Sequence, residues 1–575
     1  MDFNLKGVFK PKFFGLLKKG KYDRKTFMSD LIAGVIVAIV ALPLAIAFGI
    51  ASGVSPQQGL ITAIVAGFLV SLFGGSNFLI GGPTGAFIVI ILGIVTQYGT
   101  GGLMIATILA GIFLVIMGVF KMGTIFRFIP YPIIVGFTSG IALTIFTGQM
   151  KDFWGFSGDV PSGFLDQWAY YFTHLGEVAA AWPEAVMSIV CLLVIIFWGK
   201  VTKKVPGSLI AIILSTVVSI LLAKFAGFEF ATIGSKFPEL AEGMSFPKMS
   251  FPEIDPNLGV IGTFTGLVSP AFTIALLCAI ESLMAAMVAD GATGKSHNSN
   301  TELIGQGIAN IITPMFGGIP ATGALARTMA SINNGGKTPV TGIVHAVVLL
   351  LIYLFLMPYV VYIPLSCLAA ILVMVAYNMS EWRSFKYLLR ADKADVAVLI
   401  ITFLLTVIVD LTVAIEFGVL LAIVLFVKRV MESSSIAVIG ASKIAATEDE
   451  EIACMEDTEF LTIPADVEVY EINGPFFFGL ASRFEDLESR ANKKTKVRII
   501  RMRKVPFIDS TGIKNLRALC ERTESRGIQI VLSGVTPEVL STIEKFGLDK
   551  EIGREFIFPH IVPALAKATE LVEKK

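Results

Sequence analysis

NFLIGGPTGAFIVIILGIVT, residues 77–96, is apolar enough to lie in a bilayer, yet Gly81-Gly82-Pro83 and Gly85 interrupt it near its start. A second stretch, IPATGALARTMASI at 319–332, is interrupted in the same way. Breaking a helix inside lipid leaves backbone N–H groups unpaired, which is tolerated only where they are buried in protein or line a cavity. A half-helix that begins near mid-membrane carries roughly +0.5 of a charge at its N-terminus. Two such starts, near Pro83/Thr84 and near Ala326, would face one cavity and attract a small anion. The competing reading is a pair of continuous helices kinked at proline.

The rest of the chain gives these stretches a membrane setting. Of 575 residues, 54% are hydrophobic and 16% charged, against about 25% charged in a soluble domain. Mean hydropathy is +0.77. These values exclude a disordered chain and a single soluble globule, and a net charge of +1 gives no reason to expect a nucleic-acid partner. About 20 apolar residues cross a bilayer. Spans fit at about 30–52, 57–74, 102–120, 131–149, 184–200 and 207–226, then at 263–289, 302–316, 340–357, 362–377, 394–410 and 412–429. With the broken stretches at about 78–97 and 319–332 as spans 3 and 10, the expected count is fourteen, split seven and seven by the polar segment 227–262.

Charge orients this plan. Residues 1–29 form a polar segment with eight Lys/Arg, too long and mixed for a cleavable signal, so the first apolar run is expected to stay as a span. With that segment cytoplasmic, the inner loops carry 21 Lys/Arg, among them Lys121, Arg127, Arg383, Lys386, Arg390 and Lys393. The outer loops carry four: Lys151, Lys224, Lys236 and Lys248. That asymmetry predicts both termini on the cytoplasmic side of a plasma (inner) membrane.

Weak repetition supports two halves, about 30–226 and 263–429. Phe73-Gly74-Gly75 recurs as Phe316-Gly317-Gly318, and Ile129-Pro130 as Ile363-Pro364. An odd number of spans per half inverts the second copy, the plan of many secondary transporters. The ungapped register sets Pro83 and Thr84 opposite Ala326 and Arg327; a rival register pairs Thr84-Gly85-Ala86 with Thr322-Gly323-Ala324. Beyond the transmembrane domain (30–430), residues 431–464 read as a small, acidic linker and 465–575 as a soluble α/β domain. Strands are expected at 467–472, 497–502 and 528–534. Helices are expected near 477–493, after FIDSTG (507–512), at 537–546 and near 560–573.

Several residues could carry chemistry. Glu281 lies mid-helix in AFTIALLCAIESLMAAMVAD (271–290), where a carboxylate should face a polar cavity or a base and could take up a proton; the lesser reading is a structural carboxylate that pins helices together through backbone N–H groups, and both can hold at once. Asp290 reads as a solvated cap at the inner end of that span. Arg327 is the single Lys or Arg placed inside a span; it could grip an oxyanion, or pair with Glu281. Phe48 reads as core or as an apolar wall of the cavity. Asp509-Ser510-Thr511-Gly512 reads as a capped helix start, where a phosphate on a first-turn hydroxyl would also be stabilised. Asp410 and Glu416 are assigned to packing or the outer rim, His297-Asn298-Ser299-Asn300 to an inner loop with a cap, and His345 to a satisfied helix histidine. The five cysteines (Cys191, Cys278, Cys367, Cys454, Cys520) make no CxxC pair, and the four histidines are too scattered for a zinc set.

Five stretches carry a family resemblance: ALPLAIAFGIASGV (41–54), GGPTGAF (81–87), AIESLMAAMVADGATG (279–294), HNSNTELIGQGIANI (297–311) and FGGIPATGALART (316–328). The chain resembles the sulfate permease (SulP) anion transporters, and its tail resembles their STAS domain. The resemblance implies an α-helical polytopic domain of fourteen spans in a seven-plus-seven inverted repeat with half-helices at spans 3 and 10. It implies a cytoplasmic α/β STAS domain, a homodimer, and elevator-like movement of a core against a gate. Substrates in such a family are sulfate, bicarbonate, chloride or dicarboxylates, and the anion sits between the starts of spans 3 and 10. By matching, Phe48, Thr84, Gly85, Ala326 and Arg327 fall at the site, and Glu281 at the acidic position that couples a proton or sodium ion. Leu44 stands where some animal relatives carry Gln, which removes one polar contact. Ser510 and Thr511 fall on the phosphorylation turn, which implies cytoplasmic regulators as partners. No cofactor beyond the coupling ion is expected. The alternatives are a nucleobase permease of the same fold and an anion channel or sensor.

Overall fold

The computed structural model describes residues 9–18, 22–124, 130–161, 163–202, 206–238, 259–409, 411–433, 435–439, 443–445, 460–477 and 495–574. Two compact units emerge, Met1–Ala422 and Ile423–Lys575. Asp410, Cys454 and most of the helix expected near 477–493 lie outside the described residues.

The first unit is helical. Its main helices are α1 (Arg24–Ala51), α2 (Pro56–Phe73), α3 (Ile88–Val119), α4 (Tyr131–Trp154), α5 (Trp182–Val201), α6 (Gly207–Ala226) and α7 (Gly259–Thr293), then α8 (Ser299–Ile312), α9 (Leu325–Asn333), α10 (Val340–Val360), α11 (Leu365–Met379), α12 (Lys393–Ile408) and α13 (Leu411–Ser433). Nine helices among the described residues are long and apolar enough to cross a membrane. Local chemistry sets their ends. Asp23 caps α1 by accepting from Thr26 N, and Ser55 with Gln58 forms a capping box with Pro56 at N1 of α2. Inside α3, Gly99 takes φ 67°, ψ −172°, so the run is two helices meeting at a kink, close to where the sequence separates spans 3 and 4.

Packing sorts the helices into two bundles. One gathers α1, α2, α3, α7, α8, α9 and α10; the other gathers α4, α5, α6, α11 and α12. The α3–α8 crossing shows why small residues recur in the first. A Cβ on Gly111 would sit 2.7 Å from the Gly307 carbonyl, and one on Gly307 would sit 2.6 Å from that of Gly111. Two buried carboxylates tie distant segments of this bundle together. Asp30 accepts from Lys337 N (2.7 Å) and the Thr341 hydroxyl (3.0 Å), while Glu302 accepts from Gly75 N (2.8 Å) and Ser76 N (3.0 Å). Buried charge survives here because each carboxylate collects several donors.

The first unit contains two short strands, β1 (Gly81–Gly82) and β2 (Thr322–Gly323), and the second unit holds a five-stranded sheet. Its strands, in order across the sheet, are β3 (Ser435–Ile439), β6 (Val467–Asn473), β7 (Val497–Lys504), β8 (Gln529–Ser533) and β9 (Ile557–Phe558); β3 runs antiparallel to β6 and the other pairs are parallel. A separate ribbon pairs β4 (Lys443–Ala445) with β5 (Phe460–Thr462). Alternation along the strands sends Ile500, Ile530 and Leu532 to one face, under α14 (Ser510–Glu524) and α15 (Pro537–Lys545). Val497, Ile499 and Val531 go to the other, under α16 (Ile561–Lys574). The three strands expected from 465 onward, and the helices expected after 507–512, at 537–546 and near 560–573, fall within a few residues of those seen. The segment expected as linker, 431–464, differs: its first residues finish α13, and 435–439 form the edge strand β3. The signal was hidden because SIAVI is short and sits beside an acidic tract.

Candidate functional site

The two broken stretches meet. Gly81–Gly82 (β1) pairs antiparallel with Thr322–Gly323 (β2), Gly81 opposite Gly323 and Gly82 opposite Thr322. In secondary structure Gly81-Gly82 therefore corresponds to Thr322-Gly323, which agrees with neither register drawn from the sequence. The first half-helix opens as a 3-10 turn at Gly85–Phe87 with Thr84 as N-cap, and continues into α3. The second is α9, with Ala324 as N-cap. It starts one residue before Ala326, so Arg327 is its third residue. Neither N-cap makes a side-chain capping hydrogen bond, so the first-turn N–H groups keep their donor capacity for something in front of them.

Side chains hold this backbone where helix geometry cannot. Asn310 grips Ala321 at both ends, accepting from its N–H (2.9 Å) and donating to its carbonyl (2.8 Å). Ser282 Oγ accepts from Gly323 N (2.9 Å) and lies 2.7 Å from Thr322 Oγ1. Thr328 Oγ1 accepts from Ile80 N (3.2 Å), and Ala324 N donates to the Ile80 carbonyl (2.9 Å). Sequence reading missed Asn310, Ser282 and Thr328; the available signal was their polarity inside apolar helices.

Arg327 is 1% exposed. Its Nη2 donates to the Pro83 carbonyl (3.2 Å), while Nη1 has no hydrogen-bond partner among the described residues. It makes no ion pair with Glu281 or any other described carboxylate. Gly82 takes φ 154°, and a Cβ there would lie 1.8 Å from Arg327 Nη1. Only glycine leaves room for the guanidinium behind this strand. On α7, Glu281 is half-buried and accepts from the Thr84 hydroxyl (3.0 Å), which ties the first half-helix to that carboxylate.

These groups share a cavity of about 500 Å³. Phe48, Thr84, Gly85, Glu281, Ala326 and Arg327 all line it. Its opposite wall comes from the second bundle, including Thr138, Ser208, Met374, Asn378 and Glu381, none of which the sequence singled out for this wall. Two uncapped helix starts and a buried guanidinium favour a negative solute, and two carboxylates, Glu281 and Glu381, offset part of that charge.

The other candidates lie elsewhere. Asn298 caps α8 through Thr301 N (3.1 Å), and His297 Nδ1 lies 2.6 Å from Asp290, so Asp290 is a paired group more than a solvated cap. Glu416 accepts from Ser269 (2.7 Å). His345, expected to be satisfied, is buried in α10 with neither ring nitrogen hydrogen-bonded among the described residues. Cys191, Cys278, Cys367 and Cys520 are free and buried. In the second unit Asp509 caps α14 by accepting from Gly512 N (2.6 Å), which leaves Ser510 exposed and Thr511 half-buried in the first turn.

Residues 27–402 match the sulfate permease family and residues 461–568 the STAS domain. YvdB of Bacillus subtilis (strain 168), provisionally named as a sulfate transporter, is 41% identical over 542 residues, covering 94% of this chain and 97% of its own. The bicarbonate transporter BicA of Picosynechococcus sp. is 30% identical, covering 92% and 93%. The solved transmembrane domain of a cyanobacterial BicA superposes with a TM-score of 0.60 at 28% identity, covering 70% of this chain and 99% of that one. Murine Slc26a9, an anion transporter solved in the inward-facing state, gives 0.83 at 17% identity, covering 99% and 95%, a likeness of fold.

Proposed function

The chain belongs to the sulfate permease family and carries a STAS domain, and from that premise we propose that it is a secondary transporter of small anions of the sulfate, bicarbonate or dicarboxylate class. One observation carries the reading: two uncapped half-helix starts, a buried arginine and a carboxylate converge on one cavity between two helix bundles. The anion is held by first-turn N–H groups of both half-helices, with Arg327 adding its field from behind β1. With Glu281 ionised, its charge opposes that of Arg327; a proton or a sodium ion at Glu281 restores the positive balance, so anion and cation enter together.

Because the cavity's walls come from different bundles, sliding one past the other would expose it alternately to each side, an elevator-like step. We place fourteen membrane segments in a seven-plus-seven inverted repeat, in the plasma (inner) membrane, with both termini and the STAS domain cytoplasmic and the protein a homodimer. The STAS turn at Ser510 and Thr511 is the proposed point of regulation by phosphorylation or cytoplasmic partners. A nucleobase permease is disfavoured because a buried guanidinium with no ion-pair partner among the described residues suits an anion better than a base that donates N–H groups. The test is uptake of labelled sulfate and bicarbonate into proteoliposomes, with imposed proton and sodium gradients. Saturation and counterflow support a carrier; a steady single-channel current, or counterflow with nucleobases alone, overturns it.

A further inference from the structure

A second cavity, of about 530 Å³, lies within the second bundle between α4, α11, α12 and the short helix Trp382–Leu388. Its wall is built from Ala142, Leu143, Phe146, Val373, Phe385 and Phe403. Ser139 donates to the Ser380 carbonyl (2.5 Å) and Ser380 to that of Tyr377 (2.8 Å). The serines of this wall are therefore satisfied internally and offer little to a hydrophilic solute. Lys386 is the single charged residue among the described lining, is exposed, and makes no ion pair among the described residues. Around it stand Trp382 and Tyr377, 47% and 56% exposed, with Arg383 stacked on Trp382 at 5.3 Å. Tryptophan, tyrosine and lysine at the end of an apolar slot are the groups that sit at a membrane interface. Along α4 the slot is lined from Ser139 to Phe146, about 10 Å at 1.5 Å per residue.

We propose that this crevice binds an anionic phospholipid, its phosphate at Lys386 and one acyl chain running between α4, α11 and α12. An apolar slot with one cation at its mouth complements an apolar tail with one anion at its head. The site also abuts the anion cavity. Val373 and Tyr377 of α11 face the crevice, while Met374 and Asn378 of the same helix face the anion cavity. The chain turns between them at Glu381, a non-glycine residue at φ 40°, which lines the anion cavity while its neighbour Trp382 lines the crevice. Strain of this kind persists where surrounding structure fixes it, and here it sends consecutive side chains into two different cavities.

The experiment embeds the full-length protein in nanodiscs of phosphatidylcholine containing a small fraction of photoactivatable phosphatidylglycerol or, in a parallel arm, photoactivatable phosphatidylcholine, and maps the labelled peptides. We expect phosphatidylglycerol to label the segments around 139–146 and 382–403 at least threefold more than phosphatidylcholine does. Lys386→Gln should remove that preference, and Ala142→Phe, which fills the slot, should remove the label from 139–146 altogether. Both variants are compared at equal yield of protein with the wild-type elution volume; if Ala142→Phe fails to fold, Leu143→Trp takes its place. Equal labelling by the two lipids, labelling that survives both substitutions, or cross-links from these segments to a second copy of the chain would each overturn the proposal.

Discussion

Glu281 accepts a hydrogen bond that a glutamine could also accept, since the donor is the Thr84 hydroxyl. Glu281→Gln should therefore fold and keep Thr84 in place while losing the exchangeable charge. The expected outcome is anion uptake that does not respond to an imposed proton or sodium gradient; a response equal to wild type would remove Glu281 from coupling. Arg327 acts differently, because it is buried behind β1 and is not the sole source of positive potential. Arg327→Ala should weaken anion affinity by about 1.5–3 kcal/mol, since charge-assisted interactions of this kind have that size, read as a rise in KM of roughly 10- to 150-fold. Gly82 provides an independent check. A methyl at that position would collide with Arg327 Nη1, so Gly82→Ala should reproduce most of the affinity loss. Adding it to Arg327→Ala should cost little more, because neighbours that share one interaction are not additive.

At the scale of elements, the half-helix starts were legible and their mutual pairing was not. Glycine and proline inside an apolar run announce a break, and Arg327 beside one announces charge. The antiparallel match of Gly81–Gly82 with Thr322–Gly323 depends on side chains of two other helices, and no local period encodes it. Asn310 is the strongest example, since both its polar atoms hold Ala321. Asn310→Ala leaves the buried Ala321 N–H unpaired, at about 1–3 kcal/mol, and leaves its carbonyl only the weak Cys278 thiol donor (3.3 Å). A clear fall in thermal midpoint and loss of transport are expected, whereas a midpoint equal to wild type would show that water replaces the side chain. A second loop answers to pH. Glu177, between α4 and α5, accepts from the Ser157 N–H (3.0 Å) and the Tyr170 hydroxyl (3.2 Å), and these bonds hold its carboxyl below the ordinary range. A lowered folded value means that its contribution is present above the ordinary carboxylate range and is lost as pH falls through the folded value. Protection of the amides at 157–177, measured against their intrinsic exchange rate at each pH, should therefore fall under acid conditions in wild type, and Glu177→Gln should show the lowered protection already at neutral pH.

At the scale of the whole molecule, the membrane unit was read from composition, because long apolar runs report directly on bilayer thickness. The start of the second unit was not readable in this way. An edge strand of five residues beside an acidic tract carries too little pattern, and its partner β6 lies about thirty residues on, so β3 becomes visible only as a tertiary pairing. Its five residues run in register with β6, from Ser435 opposite Asn473 to Ile439 opposite Val469. A soluble fragment cut at 465, where the sequence suggests the domain begins, would strip that strand and leave the outer edge of β6 unpaired, an invitation to association between sheets. A fragment spanning 434–575 should unfold at a higher urea concentration than one spanning 465–575 and remain monomeric at concentrations where the shorter one associates. The steepness of the urea transition should also rise with the surface buried beneath β3. Equal midpoints and equal association would mean that the α/β domain is complete without β3, and that the strand belongs to the connection after all.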